Sequence, residues 1–178
     1  MVAGTADTLI IRDAVVTDLP AITAIYNAAV AGTTAIWNDT AVDLENRRVW
    51  WADRLAKGYP VLVSCEGDAV LGYASFGDWR AFDGYRGTVE HSVYVREGAQ
   101  GRGIGLLLMS ELVKRARGCG KHVMVAGVEA GNVGSIRLHQ RLGFVETGRM
   151  PQVGQKFGGW LDLVFLQLQL DTVERPPN

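Results

Sequence analysis

The chain has 178 residues, 48% of them hydrophobic and 21% charged, with a formal net charge of −1. That length suits one soluble domain able to bury about 70% of its unfolded surface without staples. The near-neutral charge argues against a nucleic-acid surface, which needs dense Lys and Arg, and the two cysteines, Cys65 and Cys119, form neither a disulfide framework nor a C-x-x-C pair.

The N-terminal stretch lacks the basic start and long apolar run of a signal peptide, and no apolar run approaches the roughly 20 residues of a membrane span. A cytoplasmic protein with reduced thiols is expected. Leu9 to Arg12 reads as a first strand. Thr17 or Asp18 can cap a helix with Pro20 in its first turn, and Leu19, Ile22, Tyr26 and Ala29 give it one buried face. A loop, "TTAIWNDTAV", leads to a second helix capped by Asp43 and ended by Gly58. Val61 to Cys65 and Val70 to Phe76 form a hairpin around Glu66-Gly67-Asp68, and "GTVEHSVYV" is a third strand.

A glycine-rich turn, "GAQGRGIG", then opens a helix from about Gly103 to Arg117. Ile104, Leu108, Leu112 and Ala116 line one face of it, and Gly118 and Gly120 end it. "HVMVAGV" is a strand, and "NVGSIRLHQRLGF" is a short helix closed by Gly143. Val145 to Met150 and Trp160 to Leu170 are the last strands. The mixed order predicts an α+β fold: helices flanking a mixed, largely antiparallel twisted sheet, with one parallel right-handed crossover from Thr88 to Gly127. A single domain over residues 1–170 and a polar tail, 171–178, complete the reading.

The glycine turn is a candidate anion site, because a helix N-terminus offers unpaired N–H groups and glycines let the backbone approach the anion. No Lys-Ser or Lys-Thr follows, so the P-loop pattern fails; G-x-G-x-x-G fails in register, since Leu106 stands three after Gly103. What is left is Gln100-x-x-Gly103-x-Gly105, or a tight turn with no ligand.

Glu90 lies inside an apolar strand, where burial would raise its pKa; an exposed or ion-paired carboxylate is the competing reading. Strand alternation puts Glu90, Ser92 and Tyr94 on one face and Val89, His91, Val93 and Val95 on the other, unless a bulge intervenes. Asn132, Ser135 and His139 share one helical face, beside a ligand or simply toward solvent. His91 reads as a satisfied strand histidine. The three histidines have no metal-ligand spacing, so no metal is expected.

"QGRGIG" after "SVYVREGA" resembles the acetyl-CoA pyrophosphate loop of the GNAT N-acetyltransferases. "NVGSIRLHQRLGF" resembles that family's asparagine-led helix, which normally carries a tyrosine where this chain has His139. The element order from Leu9 to Leu170 is similar to the whole GNAT fold. "TAIWNDTAVD", "GYASFGDWRAFDGYRGTVEHSVYV", "GKHVMVAGVEAGN" and "MPQVGQKFGGWLDL" resemble the phosphinothricin acetyltransferase branch, and within it the L-methionine sulfoximine/L-methionine sulfone acetyltransferases.

The resemblance implies direct acetyl transfer from acetyl-CoA to the α-amino group of a small amino acid. Such a transfer needs a base, oxyanion donors and an acid for the thiolate, but no protein nucleophile. Glu90 would be the base; His139 would be acid, relay or positioning group. Val93, Tyr94 and Val95 would pair with the pantetheine arm. Gln100, Gly101, Arg102, Gly103, Ile104, Gly105 and Leu106 would hold the pyrophosphate, with Asn132 and Ser135 on the pantetheine. Arg80, Phe82, Gly84, Tyr85 and Arg86 in "FGDWRAFDGYRG" would line the acceptor pocket, an arginine fork suiting a carboxylate. Trp37 with Asn38, and Lys156 with Phe157, would also reach it. The resemblance further implies a homodimer. Acetylation of a protein N-terminus, polyamine or aminoglycoside, and a non-catalytic acetyl-CoA sensor, are the rival readings.

Overall fold

The structure, a computed structural model, describes residues 8–174; residues 1–7 and 175–178, the start of the expected domain and the end of the expected tail, lie outside the described residues. In chain order the elements are β1 (Ile10–Asp13), α1 (Leu19–Gly32), α2 (Leu44–Ala56), β2 (Val61–Glu66), β3 (Ala69–Asp78), β4 (Thr88–Val95), α3 (Ile104–Gly118), β5 (Val123–Glu129), α4 (Val133–Arg141), β6 (Val145–Lys156) and β7 (Gly159–Gln169). The seven strands form one sheet in the order β1-β2-β3-β4-β5-β7-β6. Every neighbouring pair is antiparallel except β4–β5, so the expected fold class and the single parallel crossover both hold.

Helices cover both faces of the sheet. On one, Leu19, Ile22 and Ile25 of α1 pack with Val61, Val63, Cys65 and Tyr73. On the other, Ile104, Leu108 and Leu112 of α3 pack with Leu62, Leu71, Phe76, Val89 and Met124. A strand buried on both faces loses its polar alternation, which is why β2 reads as "VLVSC", apolar but for Ser64, which is buried with the rest.

Three local outcomes differ from the sequence reading. Asp18 does not cap α1 with its side chain; its carboxylate accepts the Val15 N–H at 2.8 Å and both prongs of the Arg12 guanidinium at 2.6 and 2.9 Å. The buried face of α1 is Leu19, Ile22, Ile25 and Val30; Tyr26 turns half out, edge-on to Tyr94, and its hydroxyl accepts from Asn38. β6 runs on past Met150 to Lys156. Pro151 falls in the irregular stretch of β6–β7 pairing between Met150 and Gly154, where a strand proline costs no ladder bond. Among the described residues no helix is long and apolar enough to cross a membrane.

One topological detail creates the site. β4 and β5 register only from Thr88–Val123 to Glu90–Val125, although β4 continues to Val95 and β5 to Glu129. Beyond Glu90 the two parallel strands part and leave an opening in the middle of the sheet.

Candidate active site

A cavity occupies that opening. Residues 90–94 of β4 and 127–129 of β5 form its walls, Asn132, Ser135 and His139 of α4 close one side, and Arg54 of α2, Gly77 and Asp78 of β3 and Ala35 close the other.

Glu90 stands where the strands begin to part. The β3–β4 register is continuous from Gly72–Val95 to Asp78–Val89, so no bulge disturbs the alternation on β4. Val89 and His91 face α3 and α4, whereas Tyr94 packs on Tyr26 and Tyr73 toward α1. Glu90 shares the Tyr94 face. Its Oε1 lies 3.2 Å from where a Cβ on Gly127 would be, so the glycine makes room for the carboxylate. Among the described residues no side chain pairs with it, and burial pushes its pKa up, partly offset by the charge of Arg80.

His91 and His139 form a stacked, buried pair, their Nε2 atoms 2.9 Å apart and their rings 20° from parallel. Burial depresses both pKa values, so both rings are neutral near pH 7. The hydrogen bonds then assign the tautomers. His139 Nδ1 lies 2.7 Å from the Ser135 carbonyl oxygen, which only accepts, so Nδ1 carries the proton. His139 Nε2 is therefore the acceptor, and His91 Nε2–H donates to it. That leaves His91 Nδ1 as a bare lone pair, buried without a partner among the described residues. His91 is thus only half satisfied.

The glycine turn leads into a helix with an uncapped first turn. Gly103 is the N-cap of α3 with φ +78°, a conformation that glycine reaches without strain, and no side chain caps the helix. The first-turn N–H groups are thereby left without a side-chain acceptor. The Gln100 carboxamide accepts the Gly98 N–H at 2.8 Å and steadies the turn. Arg102 is engaged by Glu66, the last residue of β2. Gly105 has a packing duty: a Cβ there would sit 3.0 Å from Leu138 of α4. Asn132 caps α4 by accepting the Ser135 N–H at 3.1 Å.

None of the residues of the expected acceptor pocket, Trp37, Arg80, Phe82, Gly84, Tyr85, Arg86 and Lys156, lines this cavity. Arg80 lies over the Trp79 ring at 4.7 Å, and Trp79 is edge-on to Phe165. Phe82, Gly84, Tyr85 and Arg86 form an exposed segment with a short 3-10 turn, and Arg86 donates to the Asp83 carbonyl. Lys156 is 5% exposed, with its ammonium on the Val30 and Ile36 carbonyls at 2.6 and 2.5 Å. The Trp37 ring fills the space a Gly154 side chain would take, and its Nε1–H donates to Thr34. Lys156 and Trp37 hold the loop 33–40, which lends Ala35 to the cavity wall.

Arg54 and Glu129, both on the wall, escaped the sequence reading. Arg54 reads as one more charge on a surface helix; the one clue is Trp50 a turn earlier, over which its guanidinium lies at 5.9 Å. Glu129 ends an apolar strand three residues before Asn132. Its carboxylate accepts the Thr34 hydroxyl at 3.1 Å and the Gly131 N–H at 2.7 Å, tying β5 to the loop 33–40.

Residues 22–144 match the sequence profile of the Acetyltransferase (GNAT) family. The chain is 61% identical over 168 residues to the L-methionine sulfoximine/L-methionine sulfone acetyltransferase of Pseudomonas aeruginosa, covering 94% of this chain and 98% of that protein. It is 39% identical to the phosphinothricin N-acetyltransferase of Alcaligenes faecalis, over 86% of this chain and 79% of that one. The structure of the acetyltransferase yncA from Salmonella typhimurium, solved with its cofactor acetyl-CoA, superposes with a TM-score of 0.94 at 60% identity, covering 95% of this chain and 98% of that one.

Proposed function

This chain belongs to the Acetyltransferase (GNAT) family and is an acetyl-CoA-dependent N-acetyltransferase, and we propose that its acceptor is the α-amino group of a small amino acid such as L-methionine sulfone, L-methionine sulfoximine or phosphinothricin. The observation that carries the proposal is Glu90: a half-buried, unpaired carboxylate at the point where β4 and β5 part.

The residues present fit acetyl-CoA. The uncapped first turn of α3, from Ile104 to Leu106 with Gly101 and Gly103 before it, would take the pyrophosphate. β4 beyond Glu90 runs without registered β5 partners, which leaves Val93, Tyr94 and Val95 to pair with the pantetheine arm, with Asn132 and Ser135 beside it. Acetyl-CoA supplies the activated acetyl group. Glu90 removes the proton from the acceptor ammonium, and its raised pKa brings it closer to an amine's than an ordinary carboxylate would be. His139 acts as a positioning group, since its Nδ1 proton is committed to Ser135 and its Nε2 to His91. Arg80 is near enough to Glu90 to moderate its charge. A homodimer in the cytoplasm completes the reading, and sedimentation giving only a single-chain species would refute the dimer.

Thiol release from acetyl-CoA, followed over a panel of the three amino acids, spermidine and a peptide with a free N-terminus, tests the acceptor. Turnover of an amino acid supports the proposal; turnover of spermidine or the peptide alone overturns it. Binding of acetyl-CoA with no thiol release for any amine would make the chain a sensor.

A further inference from the structure

We infer that Arg54 grips the α-carboxylate of the acceptor; the inference rests on the amino-acid reading above and deepens it. Among the described residues Arg54 is the arginine on the cavity wall; Arg80, whose charge reaches Glu90 from outside the wall, and Arg86 are not on it. Among the described residues the Nε of Arg54 is buried without an acceptor, and its one ion pair, at 3.0 Å, is with Asp53, its exposed neighbour on α2. Its guanidinium lies where a side chain of Gly77 would be: a Cβ there would meet Nη2, Cζ and Nη1 at 2.8, 2.9 and 3.1 Å. A glycine in β3 therefore makes the approach possible.

The register connects this cation to Glu90. Gly77 pairs directly with Glu90 across β3–β4, so both point to the same face. On the far side of β4, Oε1 of Glu90 rests against Gly127 of β5. A cation toward β3 and a carboxylate toward β5 thus flank one strand, across two strand spacings of about 10 Å. An α-amino acid carries its opposite charges on a single carbon. With its ammonium on Glu90, its carboxylate falls on the Arg54 side. Asp78, at that same end, is already engaged by the Tyr59 hydroxyl and by Lys57, so it does not compete for the guanidinium. A guanidinium fork on a carboxylate is among the strongest polar contacts available there.

The test compares L-methionine sulfone with its carboxamide, which keeps the amine and lacks the carboxylate, by kcat/KM and by calorimetric Kd on the enzyme–CoA complex. The wild type should prefer the acid by about tenfold or more, and Arg54→Gln should erase that preference through KM and Kd with acetyl-CoA affinity unchanged. Gly77→Ala, which leaves Arg54 in the chain and displaces only its tip, should do the same, so a failure of Arg54→Gln to fold leaves the question open to measurement. Equal loss on acid and amide, or no wild-type preference, overturns the inference. A loss of preference in Arg80→Gln alone assigns the carboxylate to Arg80 and overturns it too. If the wild type acetylates only carboxylate-free amines, the acceptor reading and this inference fall together; if it acetylates amino acids and Arg54→Gln keeps the preference, only the inference falls.

Discussion

Replacing Lys156 by Met separates two roles that its sequence position leaves open. Its ammonium is buried, and it donates to two backbone carbonyls. One of them, Val30, belongs to the last turn of α1, where carbonyls have no helical partner and the helix dipole favours a cation. Methionine keeps most of the apolar stem and removes both bonds. A hydrogen bond to a charged group contributes about 1.5–3 kcal/mol, and two carbonyls would be left unsatisfied. Removing a buried charge returns part of that loss. The net cost should be about 2–4 kcal/mol, or roughly 5–15 °C in Tm for a chain of this length. Because the same contact holds the loop 33–40, KM for the acceptor should rise alongside. Thermal unfolding by circular dichroism, paired with acceptor KM, reads both. If Tm stays within about 1 °C of wild type, far inside the shift that two lost charged hydrogen bonds imply, while KM rises, then Lys156 touches the acceptor directly and the packing argument is wrong.

Three other outcomes follow from the same geometry. Glu90→Gln should lower kcat/KM by about 100-fold or more without changing acetyl-CoA affinity; the wild-type profile should rise with pH along a limb centred above the ordinary glutamate value of 4.5, and the variant should lack that limb. Gly105→Val should destabilise by about 1–3 kcal/mol, since its Cβ would lie 3.0 Å from Leu138 and push α3 off α4; a urea midpoint equal to wild type would contradict this. The histidine pair should make stability fall on mild acidification. Native His91 and His139 stay neutral below the ordinary value of 6.5 while the unfolded chain takes up protons there, so stability is full above about 6.5 and declines as pH falls toward the depressed native values. A urea midpoint that does not move between pH 7.5 and 5.5 would refute it.

The sequence revealed what is governed by local chemistry. Asp43 caps α2 with its own carboxylate, Gly103 takes the left-handed turn ahead of α3, and strand alternation set Glu90 on the opposite face from His91. What escaped it depends on partners far along the chain. Nothing near Arg54 indicates that its tip will lie over Gly77, because that contact needs α2 packed across β3. Nothing near Lys156 reveals that its acceptors are Val30 and Ile36, more than a hundred residues away. His91 looked like a satisfied strand histidine because satisfaction is a property of its neighbours, and one of its nitrogens has none. Charged and aromatic residues in the segment 79–86 suggest a pocket; in the structure residues 80–86 are exposed, Trp79 packs edge-on to Phe165, and the charge of Arg80 reaches Glu90.

The neutrality of the histidine pair bears on the base. Two imidazolium charges one residue along β4 and on the facing helix would favour ionised Glu90 and draw its pKa back down, reversing what burial does. They would also repel an incoming ammonium. The structure prevents this by burying both rings, which depresses their pKa values; the hydrogen bonds set only which nitrogen carries each proton, with Ser135 holding the His139 proton on Nδ1 and His139 Nε2 accepting that of His91. A substitution that brings polarity to the pair, such as a polar residue in place of Phe144, which packs edge-on against both rings, should therefore let one ring protonate and shift the Glu90 limb of the pH profile toward lower pH. A profile that stays fixed while the freed histidine titrates by NMR would show that the two groups are uncoupled.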